Sequence, residues 1–345
     1  MNTTRPRPST PLGENQRYAG HGECWVRLRV NYQVSLLMPI EGRVSIVVTA
    51  YNSRVTVLGT LNALCKLPGA WPILVIDNGS TDGTAAAIAE RFPSVMLIRA
   101  RRNLGGAARN IAAAYVHTPY IAFCDADTRW EPGALERAAS ILDAMPEIAV
   151  LSACVRIGAA RQLSPACGRM AKSSLPRGNL PGPRLLDFSA SACIVRTRAF
   201  LDAGGFWPPF FTGGEEALLS LDIAGQGMHV VYMEDVICQR LPRAVQDSRP
   251  RKRWRIRNEI WLAWMRRPVG PAWRCTCARL EQARVSGMFW RVLVDAAAGL
   301  PKALRQRRVI SPAIEHMRAS IDERPGVSPG AFAPAVRPWQ NGDQG

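Results

Sequence analysis

The 345-residue chain has no Cys-x-x-Cys, only four histidines, and no apolar run long enough to cross a bilayer. The first shortage removes zinc knuckles and thioredoxin-like redox pairs. The closest cysteines, Cys275 and Cys277, have the wrong spacing for a metal clip. Nine scattered cysteines, several inside apolar runs, read as small buried hydrophobes in a reducing compartment. No stretch reaches about 18 consecutive apolar residues, so no transmembrane helix is expected. The N-terminal segment has no apolar core of the signal-peptide kind, which points to a cytoplasmic protein, membrane-peripheral at most. Acid is also short: 27 Asp and Glu stand against 44 Lys and Arg, a formal charge of +17. Such a surplus favours anionic partners: nucleotides, lipid diphosphates, acidic membranes or nucleic acid. Much of it lies between Arg240 and Arg308.

Against these shortages, short apolar runs alternate with helical patterns. Val44–Ala50 is a mostly β-branched apolar run, as in a strand buried on both faces. Further strands are expected at 73–76, 95–99, 120–124 and 148–155. Helices are expected between them at 55–66, 85–92, from Asn103 through Tyr115, and over 128–145, the last with Pro132 near its first turn. This rhythm is that of βαβ units. Residues 158–184, rich in Pro, Gly, Ser and Arg, read as a loop. Phe188–Val195 reads as a strand whose small residues, Ser189 to Ala192, allow close approach of something bulky. Gly213-Gly214 opens a helix from Glu215 to Ala224, and a strand follows at 229–233. Beyond Val245 the chain becomes basic and helical, over 257–267 and 276–307. The expected organisation is an N-terminal tail over 1–42, an α/β unit over 43–240, a basic helical extension over 241–322 and a disordered tail over 323–345.

The α/β unit carries two carboxylates, Asp125 and Asp127, where the strand Tyr120–Cys124 stops. Ligands of open α/β sheets bind beyond the carboxyl ends of the strands. Two hard oxygens there suit Mg²⁺ or Mn²⁺ holding a diphosphate. Asp77 ends the second strand, ahead of Asn78-Gly79-Ser80-Thr81-Asp82-Gly83-Thr84. In that loop Asp82 reads as the cap of the next helix. Asn103-Leu104-Gly105-Gly106 brings bare backbone to a helix entry.

Taken in order, Val44 to Asn52, Val75 to Thr84, Asn103 to Asn110 and Asp125-Ala126-Asp127 resemble the family 2 glycosyltransferases. The resemblance covers roughly residues 43–235. It implies a GT-A fold, a Rossmann-like mixed α/β sheet flanked by helices that binds a nucleotide-diphospho-sugar. It also implies site roles. Ala50, Tyr51, Asn52, Asp77, Asn103, Gly106, Arg109 and Asp125 border the nucleotide, with Asp77 accepting from a uracil or thymine N3–H. Asp127, with Asp125, holds the cation. Glu216, where most relatives have Asp, is the general base, and Glu215 is its rival. Many relatives carry a histidine after the strand that follows the base helix. This chain has Val236 to Leu241 there, with Arg240 as a candidate phosphate clamp in its place.

The implied activity is inverting transfer of one hexosyl or deoxyhexosyl unit from a UDP- or dTDP-sugar. The acceptor hydroxyl belongs to a glycan, a lipid-linked saccharide or a small molecule. A sugar nucleotidyltransferase would need a basic Gly-rich loop after the first strand, and Tyr51-Asn52-Ser53 is not one. A degenerate nucleotide-binding member without transfer activity is the alternative suggested by the missing histidine. A basic nucleic-acid binder would interleave aromatics with charge on one face. The tryptophans here mostly keep helical apolar spacing, so no nucleic acid is expected. The basic stretch Arg249 to Arg255 and the helices over 276–307 leave room for peripheral contact with an anionic membrane.

Overall fold

The computed structural model describes residues 42–242 and 249–322. The expected tails over 1–41 and 323–345 lie outside the described residues. The elements run β1 (Val44–Ala50), α1 (Arg54–Leu64), β2 (Ile73–Asp77), α2 (Thr84–Arg91), β3 (Met96–Arg99), α3 (Ala108–Ala113), β4 (Tyr120–Asp125), β5 (Thr128–Trp130), α4 (Ala134–Ala144), β6 (Ile148–Ile157), β7 (Gln162–Leu163), α5 (Pro165–Ala171), β8 (Arg184–Leu185), β9 (Ala192–Arg196), α6 (Thr197–Asp202), α7 (Glu215–Gly225) and β10 (His229–Arg240). Four further helices follow: α8 (Arg249–Arg266), α9 (Val269–Val285), α10 (Phe289–Arg305) and α11 (Pro312–Asp322).

One mixed sheet has the order β3-β2-β1-β4-β9-β6-β10-β5. The half from β3 to β4 is parallel. Strand β9 then inserts antiparallel between β4 and β6. The β-branched and aromatic residues of β1, β4 and β9 are buried on both faces, with Val47, Phe123 and Ile194 wholly enclosed. This core extends across the sheet to Val231 and Tyr232 of β10.

Strand β10 is longer than its 229–233 expectation because it is interrupted rather than ended. Its register against β6 jumps between Met233 and Ile237. The irregularity leaves Glu234 and Asp235 exposed, and the strand resumes along β5, with Arg240 opposite Thr128. The end of β10 therefore reaches the loop that follows Asp125.

Other expectations need correcting. The 128–145 segment starts as a strand, because Thr128–Trp130 pairs with the far end of β10. Its helix begins only after Gly133, whose φ of 81° ends the preceding turn. The 158–184 loop contains α5, entered through Ser164 with Pro165 in the first turn. Strand β9 starts at Ala192, four residues later than expected. In the Asn103–Tyr115 stretch the α-helix covers only Ala108–Ala113, after a 3-10 turn over Gly105–Ala107.

The C-terminal helices close on the sheet through aromatic side chains. Phe210 stacks on Trp261 at 6.4 Å between ring centroids, and Trp207 meets both rings edge-on. Phe210, Leu218 and Leu221 on one side, and Trp261, Leu262, Met265 and Ile314 on the other, form a second core. Helix α10 closes on Trp261 at Gly299, where a Cβ would lie 1.9 Å from the indole. Ala296 O accepts from Trp261 Nε1 at 2.8 Å.

Candidate active site

Three parallel strands, β1, β2 and β4, end side by side. Ala50 is in register with Asp77, and Thr49 with Asp125. The edge these ends form is where an α/β sheet binds its ligand. Asp77 is buried; it accepts from Ser80 N–H at 3.2 Å, and Arg99 Nε lies 3.7 Å from its other oxygen. The next loop is tied to the end of β1. Asn52, at a φ of 43°, donates its N–H to Ser80 Oγ (2.9 Å) and accepts from Thr81 N–H (2.9 Å). Asp82 accepts from the backbone N–H of Thr84 at 3.0 Å and of Arg54 at 3.2 Å. One carboxylate thus caps the first turns of α2 and α1 together. Burial pushes its pKa up, but the Thr84 hydroxyl and these amides outweigh that and hold it below the usual range.

The Asn103–Gly106 stretch is held from two directions. Asn78 donates to Asn103 Oδ1 (3.0 Å) and Gly105 O (3.1 Å), and accepts from Leu104 N–H at 2.8 Å. Asn103 therefore turns its amide towards Asn78. On the other side, Gly106 N–H donates to Phe211 O at 2.7 Å. Gly105 has a φ of 61°, and a Cβ there would lie 1.8 Å from that same oxygen. Phe211 has φ 64° and ψ −59°, and Thr212 N–H donates to Phe210 O at 2.7 Å. This is a γ-turn of the strained, positive-φ kind.

Asn258 of α8, fully buried, donates to Phe210 O (2.9 Å), Thr212 O (3.1 Å) and Gly213 O (2.6 Å). The entry to α7 is thus clamped between the Gly105-Gly106 backbone and a side chain of the basic extension.

That entry carries the acids. Glu215 and Glu216 occupy the first turn of α7, after Gly214 at a φ of 98°. Gly106 backs directly onto Glu215, since a Cβ there would lie 2.7 Å from Glu215 Oε1. Three residues on, Arg109 donates to Asp125 Oδ1 at 2.5 Å. The short stretch from Gly106 to Arg109 thus connects the strand-end acids to the α7 acids. Glu216 accepts from Ala190 N–H at 3.5 Å, in the small-residue stretch before β9. Arg240 donates to Ser191 Oγ in that stretch. Asp127 is buried, and Thr128 Oγ1 lies 3.2 Å from its Oδ1.

Burial dominates the electrostatics of these acids. It pushes Glu215 up to about 8, with the Glu216 charge adding and Arg109 opposing. Glu215 Oε2 is buried with no hydrogen-bond partner among the described residues. Glu216 is also raised, first by burial. Arg109 and the Ala190 amide oppose that rise, whereas Asp125 adds to it. Asp187, next along the wall, is raised well above its ordinary value by burial and by Glu216.

Among the described residues no three His, Cys, Asp or Glu side chains cluster as a closed metal site. Asp125 and Asp127 are two hard oxygen donors at one strand end. Such a pair fits an octahedral ion that takes its remaining ligands from a diphosphate and water. The expected residues Ala50, Asn52, Asp77, Gly106, Arg109, Asp125, Asp127, Glu215, Glu216 and Arg240 line this edge or border it, and Tyr51 is half exposed beside it. Sequence reasoning missed Asn258, Phe211 and Asp187. Only the small residues over 189–192 signalled that the wall near Asp187 was special.

Residues 45–203 match the sequence model of glycosyl transferase family 2. An Escherichia coli UDP-Glc:alpha-D-GlcNAc-diphosphoundecaprenol beta-1,3-glucosyltransferase is 32% identical over 102 residues, 29% of this chain and 40% of that protein. A Mycobacterium tuberculosis N-acetylglucosaminyl-diphospho-decaprenol L-rhamnosyltransferase is 25% identical over 197 residues, 47% of this chain and 63% of that protein. The chain thus spans less than two thirds of these relatives. Among solved structures, Staphylococcus aureus TarS residues 1–349 with UDP-GlcNAc superposes with a TM-score of 0.51 at 19% identity, covering 64% of this chain and 66% of that one. GalNAc-T7 with UDP, GalNAc and Mn²⁺ gives 0.51 at 14% identity, covering 64% and 47%. Both likenesses are of fold: a mixed α/β sheet flanked by helices, as in GT-A glycosyltransferases.

Proposed function

We propose, for a chain that belongs to glycosyl transferase family 2 through residues 45–203, that it transfers one sugar from a nucleoside-diphosphate donor to an acceptor hydroxyl, with inversion. One observation carries the reading. Arg109 on Asp125 and Gly106 on Glu215 bring the strand-end acids and the α7 acids against one short stretch of chain.

In this reading the donor lies across the ends of β1, β2 and β4, its base at Asp77 and its ribose at Asp125. UDP and dTDP are favoured, because a carboxylate at Asp77 accepts from a pyrimidine N3–H. A divalent cation, Mg²⁺ or Mn²⁺, held at Asp127 and Asp125 supplies positive charge against the diphosphate. Arg240 takes the role of the absent histidine. Its Nε is buried with no hydrogen-bond partner among the described residues, leaving a donor for a phosphate oxygen.

The two glutamates separate by environment. Glu215, pushed up to about 8 by burial, is held towards its protonated form at neutral pH, which disfavours it as the base. Glu216, unlike Glu215, has the Ala190 amide to favour its ionised form. Glu216 therefore removes the proton from the acceptor hydroxyl. That oxygen bonds to the anomeric carbon as the bond to the diphosphate oxygen breaks, and the electron pair leaves with the nucleoside diphosphate. The acceptor class is a lipid-diphosphate-linked saccharide or a polysaccharide intermediate, by analogy with the named relatives.

A thermal-shift screen of UDP, dTDP, GDP and CDP, each with and without Mn²⁺, tests the donor site. A ligand at about 100 times its Kd adds ~2.7 kcal/mol. Stabilisation by UDP or dTDP that needs both Mn²⁺ and Asp127 supports the reading. No stabilisation by any of the four, under any condition, would sink it.

A further inference from the structure

Helix α10 packs inward through Val292, Ala296 and Ala303. Its opposite face carries Trp290, Val294, Ala297, Ala298 and Pro301, all exposed. Trp290 is 73% and Val294 64% exposed, and Val285, one turn before at the end of α9, is 78% exposed. Large apolar side chains in one stripe are unusual on a solvated helix. Arg291, Lys302 and Arg305 flank the stripe, all exposed. None of these three has an intramolecular partner among the described residues. No exposed carboxylate lies on α10; Asp295 is drawn in against Arg253 at 2.9 Å. On α9, the exposed Glu281 is held by Arg284 at 2.6 Å.

We propose that this face of α10, with the tip of the α9–α10 hairpin, docks on an anionic lipid surface. Tryptophan and short aliphatic side chains with a basic rim and no free acid suit the headgroup boundary, where the apolar stripe enters and the cations meet lipid phosphates. The surface is also close to the catalytic cleft. Arg253 ties α10 to the start of α8, Trp254 beside it packs on Phe211 at 4.9 Å, and Arg255 packs on Gly213. Docking on this face would hold the protein at the bilayer, where a lipid-diphosphate acceptor resides. Only this last consequence rests on the proposed function; the docking itself does not.

The test is co-flotation of the full chain with vesicles of phosphatidylcholine containing 30% phosphatidylglycerol, against pure phosphatidylcholine. Flotation with the anionic vesicles that weakens in high salt is expected. Neutralising Arg291, Lys302 and Arg305 together should weaken it on the order of 100-fold, at about fivefold per cation. Trp290→Ser with Val294→Ser should weaken it at least tenfold. Both variants lie outside the nucleotide cleft and should keep the nucleotide-induced thermal shift, which reports folding and donor binding separately. Absence of flotation, equal flotation of the variants, or equal affinity for neutral vesicles would overturn the proposal. So would a dimer that dissociates on Trp290→Ser, or an oligonucleotide complex that the same substitutions abolish while flotation persists. Intact flotation behaviour with no nucleotide binding would leave docking standing and remove the transferase reading instead.

Discussion

Replacing Asn258 by alanine tests whether the basic extension is part of the catalytic apparatus. Its Nδ2 meets three carbonyl oxygens between 2.6 and 3.1 Å, and its Oδ1 accepts from Arg257 at 2.8 and 2.9 Å. Two N–H bonds cannot fully satisfy three acceptors, so about two full hydrogen bonds are lost in a buried setting. At roughly 1 kcal/mol each, plus the desolvation cost of the carbonyls left unpaired, Asn258→Ala should destabilise the fold by about 2–4 kcal/mol. The lost bonds also restrain the positive-φ turn at Phe211. When that turn relaxes, Phe211 O moves from Gly106 N–H and the first turn of α7 moves with it. A displacement of about 1 Å at a catalytic group costs on the order of 100-fold in rate. Urea unfolding reads the stability term. Transfer assays with the donor class found by thermal shift should read a fall in kcat with little change in donor KM, because Asp77 and Asp125 are untouched. Asn258→Asp is the isosteric control: it keeps the Arg257 pair but presents oxygen to carbonyls, and should be no better than alanine. Wild-type stability within 0.5 kcal/mol and kcat within about twofold would refute the reasoning.

Glu215→Gln should reverse a pH effect. With a folded pKa near 8 against about 4.5 unfolded, the unfolded chain gives up this proton first as pH rises. Stability therefore falls between about pH 4.5 and 8, and the glutamine variant should gain on wild type across that window in pH-dependent urea titrations. Glu216→Gln should lower kcat by about 10²–10⁴-fold, and the wild-type kcat/KM should rise along an acid limb above the ordinary carboxylate range. Unchanged turnover in that variant would remove Glu216 as base. Asp127→Asn should abolish the Mn²⁺-dependent part of nucleotide stabilisation while leaving urea midpoints without ligand nearly unchanged. Gly105→Ala should destabilise strongly and depress activity, because its Cβ has no room beside Phe211 O; circular dichroism melts and the transfer assay read both.

The donor half was readable because its evidence is local. The run Val44–Ala50 needs no distant partner to declare a buried strand, and Asp77 and Asp125 are placed by where their strands stop. Asp82 was legible as the cap of the helix from Thr84, whereas its second bond, to Arg54 N–H, joins residues 28 apart and was not. What escaped depends on residues far apart. Thr128–Trp130 forms a strand only because the interruption in β10 steers Gln239 and Arg240 alongside it. Asn258 lies 45 or more residues from the carbonyls it holds, and nothing in its own helical window marks it. Helix α5 is a different kind of miss. Ser164-Pro165 is a helix-start signal, and the surrounding Pro, Gly and Ser masked it.

The turn at Phe211 joins two parts of the chain. Its carbonyl rests on Gly106, inside the segment shared with relatives, and its neighbours' carbonyls rest on Asn258, outside it. Transplanting a foreign C-terminal extension onto residues 45–225 would therefore disturb turnover even if every acid kept its identity. Conversely, a graft that carried α8 along would preserve the entry to α7. The turn over Phe210–Gly213 and Asn258 of α8 thus form one structural unit with the Gly105-Gly106 backbone.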